Sequence, residues 1–172
     1  MQFINFGFNF VVMFKLVPPQ IKKALLAVGV LFIIFISYCF KYNHAEQDWL
    51  IWANRCFAQS YDPSADTKLK KWELIVTGDS FIRLRKTYAK GRVEYYSFNL
   101  HRFNDMDYLG DSYTGILKLK TTADDIIVQT KNDRAGDVDS MTTVLNIPVK
   151  NMGPDRLDSL QQAFTFFKAK GL

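Results

Sequence analysis

The chain has 172 residues, 48% of them hydrophobic and 15% aromatic, and a formal charge of +5. That charge is uneven: residues 1–41 carry Lys15, Lys22, Lys23 and Lys41 with no acid, while the other 131 residues hold 18 Lys and Arg against 17 Asp and Glu. The folded part is therefore close to neutral, which argues against a nucleic-acid partner, and the length leaves room for one domain of ordinary size.

The chain opens with Phe3, Phe6, Phe8 and Phe10 alternating with polar or small residues, too short a run to span a bilayer. Met13 followed by Phe14 and Lys15 is a more ordinary lead-in, so residues 1–12 read as a mis-called start. From Ala24 to Phe40 come 17 residues without a charge. As a helix they cover about 26 Å, just short of a hydrocarbon core of about 30 Å. Lys22, Lys23 and Lys41 can extend their ammonium groups to make up the difference. The expectation is a transmembrane helix over 24–41, preceded by a cytoplasmic segment 1–23.

A cleavable signal peptide should end in small residues, and Ser37-Tyr38-Cys39-Phe40 does not. Ile36-Ser37-Tyr38-Cys39 resembles a lipobox in part, but bulky Tyr38 stands where that motif needs a small residue. An uncleaved single-pass anchor is the reading that remains. Lysines collect on the upstream side, while Lys41 and Arg55 downstream are offset by Glu46 and Asp48. By the positive-inside rule the N-terminus is cytoplasmic and the domain outside. Cys39 and Cys56 are too differently placed to form a bridge, which suits a bacterial envelope protein or a reducing compartment.

Within 42–66, a juxtamembrane helix is expected over 46–59, where Trp49, Leu50, Ala53, Cys56 and Phe57 recur every three or four residues. Tyr61-Asp62-Pro63-Ser64 is breaker chemistry and reads as a linker. The β-rich domain is then expected over 67–172, able to stand on its own from about Asp62.

In that domain the hydrophobic period becomes two. Strands are predicted over 71–77, 81–88, 92–102, 113–120, 126–130 and 142–149, joined by turns at Gly78-Asp79, 89–91 and Asp124-Asp125 and by longer loops at 104–111 and 131–140. Gly153-Pro154 starts a final helix with Leu157, Leu160, Phe164 and Phe167 on one stripe and Gly171 closing it. The class is α+β: an antiparallel meander of about six strands, able to close partly into a barrel, with a C-terminal packing helix. In strand order alone this resembles a pleckstrin-homology or calycin shape, although no motif of either family is present.

Hydrolase, zinc-protease, dinucleotide and phosphate-loop motifs are all missing, and His44 and His101 are the only histidines. No catalytic group and no cofactor is expected. The loop from Asp105 imitates the opening of an EF-hand, but Leu109 and Ile116 stand where ligands belong; a less regular site would draw on Asp105, Asp107, Asp137 and Asp139. In a simple meander alternate turns share an end. One end would then collect Asp79, Asp105, Asp107, Asp111, Asp133, Asp137 and Asp139 as a partner-facing crown. The other, near the membrane linker, would present Lys68, Lys70, Lys71, Lys90 and Arg92 to anionic lipid as a base. The functional expectation is a membrane-anchored, non-enzymatic module whose outer domain binds a protein partner, as an accessory or immunity-type protein does. The alternative is a carrier or sensor of a small apolar ligand with a calycin-like pocket.

Overall fold

Alternating apolar residues give strands here because each second side chain has a core to enter. The computed structural model describes residues 18–170, except the side chains at 19, 22, 24 and 35–44. The expectations for Phe3, Phe6, Phe8, Phe10, Lys15, Lys22, Cys39, Lys41, His44 and Gly171 fall outside the described residues. The elements are α1 (Pro19–Ser60), β1 (Leu69–Val76), β2 (Phe81–Tyr88), β3 (Val93–Asn99), β4 (Phe103–Gly110), β5 (Thr114–Thr121), β6 (Ile126–Lys131), β7 (Asp139–Thr142), β8 (Val144–Lys150) and α2 (Pro154–Ala169). The chain is α+β, with antiparallel sheets and a C-terminal helix.

Two compact units divide it, Met1–Ala45 and Glu46–Leu172. In the first, α1 exposes Leu26, Val28, Leu31 and Phe32. Among the described residues no helix is long and apolar enough to cross a membrane; the stretch expected to do so, 24–41, takes in side chains outside them.

In the second unit the strands form a five-stranded sheet, β1-β2-β3-β6-β7, and a three-stranded sheet, β4-β5-β8. This corrects the six-strand meander. The expected loop at 104–111 is largely β4, the expected loop at 131–140 is a loop that ends in the first residues of β7, and three long strands bend from one sheet into the other. The bends lie at the 3-10 turn Leu100–Arg102, at 122–125 and at Thr143. Asn99 starts the first by accepting the His101 N–H at 2.9 Å. At the next two, the Thr121 N–H donates to the Thr143 carbonyl at 3.0 Å, and its hydroxyl donates to the Ala123 carbonyl at 2.7 Å. A register shift between Phe103 and Asp105 sharpens the turn into the second sheet, as strands switching sheets require. Neighbours in sequence pair as β1-β2-β3, β4-β5 and β6-β7, while β3 pairs with β6 and β5 with β8 because the chain crosses between the sheets.

Two antiparallel helices fill the space between the sheets. The stripe on the last part of α1 buries Ala53, Cys56 and Phe57, and α2 buries Leu160, Ala163, Phe164 and Phe167. Phe164 meets Phe57 with ring centroids 6.2 Å apart and Phe103 at 5.2 Å. Arg156 at the start of α2 donates to Ser60 and Gln59, each at 2.9 Å, and Lys170 after its end pairs with Glu46. Asn54 bonds to edge strand β1 twice: its Nδ2 donates to the Val76 carbonyl and its Oδ1 accepts the Val76 N–H, both at 2.8 Å. The helix over 46–60 is thus part of the core, and the unit begins at Glu46 rather than near Asp62.

Since Phe164 is wholly buried among aromatic partners, Phe164→Ala should cost about 3–5 kcal/mol. Thermal unfolding of the purified chain would show this as a sharp fall in midpoint; an unchanged midpoint would mean that α2 does not hold the sheets together.

Candidate functional site

The β2–β3 and β6–β7 hairpins lie side by side at one end of the larger sheet, because β3 pairs with β6 from Val93↔Lys131 onward. Asn132 Nδ2 donates to the Gly91 carbonyl at 3.3 Å, and Arg92 reaches Asp133 at 3.3 Å. Thr67 and Lys68 close the third side, where the Ala89 N–H donates to the Lys68 carbonyl at 2.9 Å. Between them is a cleft of about 350 Å³ lined by Thr67, Lys68, Tyr88, Ala89, Lys90, Arg92, Asn132, Asp133 and Arg134.

The floor of the cleft is built in layers. The Arg92 guanidinium lies 4.4 Å above the centre of the Tyr88 ring and 2.8 Å from Glu94. Glu94 also accepts the Tyr88 hydroxyl at 3.0 Å and the Tyr96 hydroxyl at 3.3 Å. Burial, then the Glu94 carboxylate, push the Tyr96 phenol up to about 12. Burial likewise raises Tyr88, with its bond to Glu94 adding. Below, Lys86 occupies an inward position of β2, after Ile82 and Leu84, and is 8% exposed. Its ammonium lies 2.6 Å from Asp66, an ion pair off the ideal hydrogen-bond direction. Tyr61 stacks on Trp72 at 4.3 Å, its hydroxyl buried without a hydrogen-bond partner among the described residues. Burial first, and Asp66 next, raise its phenol. The three phenols stay protonated, and those of Tyr88 and Tyr96 serve as donors to Glu94.

Around the corner from this end, the outer face of the larger sheet holds two further clefts. One of about 310 Å³ is lined by Arg85, Val93, Tyr95, Gln129 and Lys131, and one of about 250 Å³ by Lys71, Trp72, Glu73, Arg85 and Thr87. Across the three clefts seven cations face Glu73 and Asp133.

The acidic crown does not form, because the chain bends from sheet to sheet at three places and the parity of the turns changes. Asp79 lies in the β1–β2 turn beside Arg83 at 3.5 Å. Asp105 and Asp107 flank Lys120 on the smaller sheet. Asp111 ties its own turn, accepting the Tyr113 and Thr114 N–H groups at 2.8 Å each, which holds its carboxyl below the usual range. Asp133 and Asp137 share the β6–β7 hairpin, and Asp139 takes a bond from Gln129 at 3.3 Å. Asp133 stays ionised, held down chiefly by the Ala135 N–H and also by Arg92. Asp105 and Asp107 are therefore apart from Asp137 and Asp139. Among the described residues no group of three or more His, Cys, Asp or Glu is placed to hold a metal ion.

Of the expected basic base, Lys68, Lys90 and Arg92 do converge, on the cleft. Lys70 and Lys71 lie on β1, Lys71 in the outer cleft of about 250 Å³. The base also lies far from where the chain comes into the unit. The α1 helix passes Val76, the last residue of β1, at Asn54, and Tyr61 reaches Trp72 further back, so the helix runs against β1. Glu46 and Ser60 are about 21 Å apart along it, with the cleft beyond Ser60. Sequence reasoning missed Arg134, Glu94 and Lys86. Only Lys86 left a mark, as a charge on the apolar parity of Ile82, Leu84 and Tyr88.

Comparison with family models, with curated proteins and with solved structures finds no match for this chain.

Removing one member of the Lys86–Asp66 pair strands the other's charge in a half-buried site. Lys86→Met alone should cost about 2 kcal/mol, and adding Asp66→Asn should restore most of it. Urea unfolding of the two variants decides the matter; a single variant as stable as the parent would show that the pair contributes nothing.

Proposed function

We propose that the protein is a single-pass, membrane-tethered, non-enzymatic module whose folded unit binds a protein partner outside the cytoplasm. The observation that carries this reading is the surface of α1 from Leu25 to Ile34. Leu25, Leu26, Val28, Val30, Leu31, Phe32 and Ile34 are exposed, and at 100° per residue they surround the helix on nearly all sides. A helix apolar all round belongs in a core or a bilayer. The uncharged 24–40 stretch and its flanking lysines favour the bilayer.

The apolar-ligand reading has less support. It needs an enclosed apolar cavity, whereas the space between the sheets is occupied by Phe57, Phe98, Phe103, Phe164 and Phe167. The three clefts are surface features lined by Lys and Arg. For partner binding, the outer face of the larger sheet is the better candidate than the dispersed acids. Arg85 and Lys131 sit there beside Tyr95, with an exposed Met141 further along the sheet opposite Ile127, a mixture suited to an acidic partner with an apolar centre.

Carbonate extraction of membranes should leave the chain in the pellet, and its release would overturn the anchor. Cys56 is buried, so it cannot report orientation. Thr122→Cys, in an exposed turn, should instead react with a membrane-impermeant maleimide on intact cells; reaction only after lysis would place the domain inside.

The partner is tested by capture from solubilised membranes. Proteins bound by the parent chain should be lost with Arg85→Glu and Lys131→Glu together, and retention of the same set would remove that face from the interaction.

A further inference from the structure

The cleft at the hairpin end has chemistry of its own, independent of the anchor and of the outer sheet face. Lys68, Lys90, Arg92 and Arg134 line it, against Asp133 in the wall and Glu94 beneath. Arg92 is already committed: Glu94 takes one side of its guanidinium, Asp133 the other, and Tyr88 its face. Glu94 is in turn engaged at both oxygens, by two tyrosine hydroxyls on one and by Arg92 on the other. Lys68, Lys90 and Arg134, by contrast, form no ion pair among the described residues. Three cations are thus held around one hollow with the local carboxylates already used.

Backbone conformation adds to the picture. Among the described residues, two of the four non-glycine residues at positive φ are in this lining, Lys68 at 72° and Asn132 at 58°. Left-handed lysine is unfavourable and persists only where neighbours fix it, here through the Ala89 N–H on the Lys68 carbonyl. The fold therefore holds Lys68 in a conformation it would not adopt alone, in the same lining as the fixed guanidinium of Arg92.

We propose that this cleft binds a phosphoryl group. At neutral pH a phosphate monoester carries between one and two negative charges and three acceptor oxygens. Two lysines supply compact point charges, and Arg134 supplies a planar fork. Arg92, held between Glu94 and Asp133, makes a rigid floor with no positive charge to spare, so the charge that attracts the anion is that of Lys68, Lys90 and Arg134. About 350 Å³ is at the lower end of small-ligand sites, enough for a phosphate and a modest attached group. The group's source is either a free phosphorylated solute or a lipid headgroup.

The test uses the full chain in a neutral detergent. Inorganic phosphate at constant ionic strength should raise the unfolding midpoint in a concentration-dependent way that sodium chloride does not reproduce. Calorimetric titration should give saturable binding. Lys90→Ala with Arg134→Ala, both on exposed hairpin tips, should keep the midpoint of the unliganded chain but weaken binding at least about tenfold. Lys118→Ala, on the smaller sheet, should leave binding unchanged. A parallel titration with soluble dihexanoylphosphatidylglycerol separates the sources. Binding of phosphate assigns a solute, and binding of the short-chain lipid alone assigns a headgroup. Binding of neither, or binding that survives the double substitution, overturns the proposal.

Discussion

The contact of Phe164 with Phe57 and Phe103 is the constraint from which the rest of the domain follows. Three long strands bend from one sheet to the other, and a bent sheet leaves a concave side that its own side chains cannot fill. Phe57 comes from α1, Phe164 from α2 and Phe103 from the start of β4 just after the first bend. One cluster therefore fixes helix to helix and both helices to the corner. The ties at the two ends of the helix pair, Arg156 to Ser60 and Gln59 and Lys170 to Glu46, set its direction. With the direction set, the linker after Ser60 must emerge at the hairpin end, which is why Lys68 arrives beside Lys90 and Arg92.

The same helix settles the edges of the sheets. An open edge strand is a template for pairing with another chain. On β1 the Asn54 amide imitates a neighbouring strand at Val76. On β8 the segment after α1 does so directly, through the Tyr61↔Val149 bridge and the Asp62 N–H on the Pro148 carbonyl. The remaining edges are managed differently: β7 is only four residues long, and β4 carries Asp105 and Asp107. A segment that sequence alone presents as a connector is a structural member on both sides.

What could be read beforehand followed from periodicity. The strands around Leu84, Phe98, Leu117 and Ile147, the stripe on α2 and the helix over 46–60 all repeat at the spacing of their element, and all are present. Other features were hidden for a physical reason. In β4 the residues Asn104, Asp105, Asp107 and Gly110 have the composition of a loop, yet Met106 and Tyr108 alternate with Asp105 and Asp107 as an edge strand with one wet face requires. Gly110 is needed because a side chain there would collide with the Thr114 carbonyl across the hairpin. The bends have no sequence period at all, so nothing in the sequence signals that the parity of the later turns changes. Without the bends the turns fall into a crown, with Arg134 at the opposite end from Arg92.

The charged layer under the cleft is costly by the measure of stability alone. Lys86, Asp66, Glu94 and a Tyr61 hydroxyl without a hydrogen-bond partner are withdrawn from water where leucines and phenylalanines would pack, and well-packed apolar replacements of buried ion pairs are often neutral or stabilising. The cost is confined to one end of the sheet; at the other end the inward positions are Val76, Ile82 and Phe98, all apolar. A polar layer so placed does what an apolar one cannot. It fixes the plane of Arg92 from below, through Glu94 and two phenols that stay protonated, while leaving Lys68, Lys90 and Arg134 free to meet a ligand. Rigid geometry in the floor and uncommitted charge in the walls divide the work of recognition between two shells, and both shells lie where the two hairpins and the linker meet.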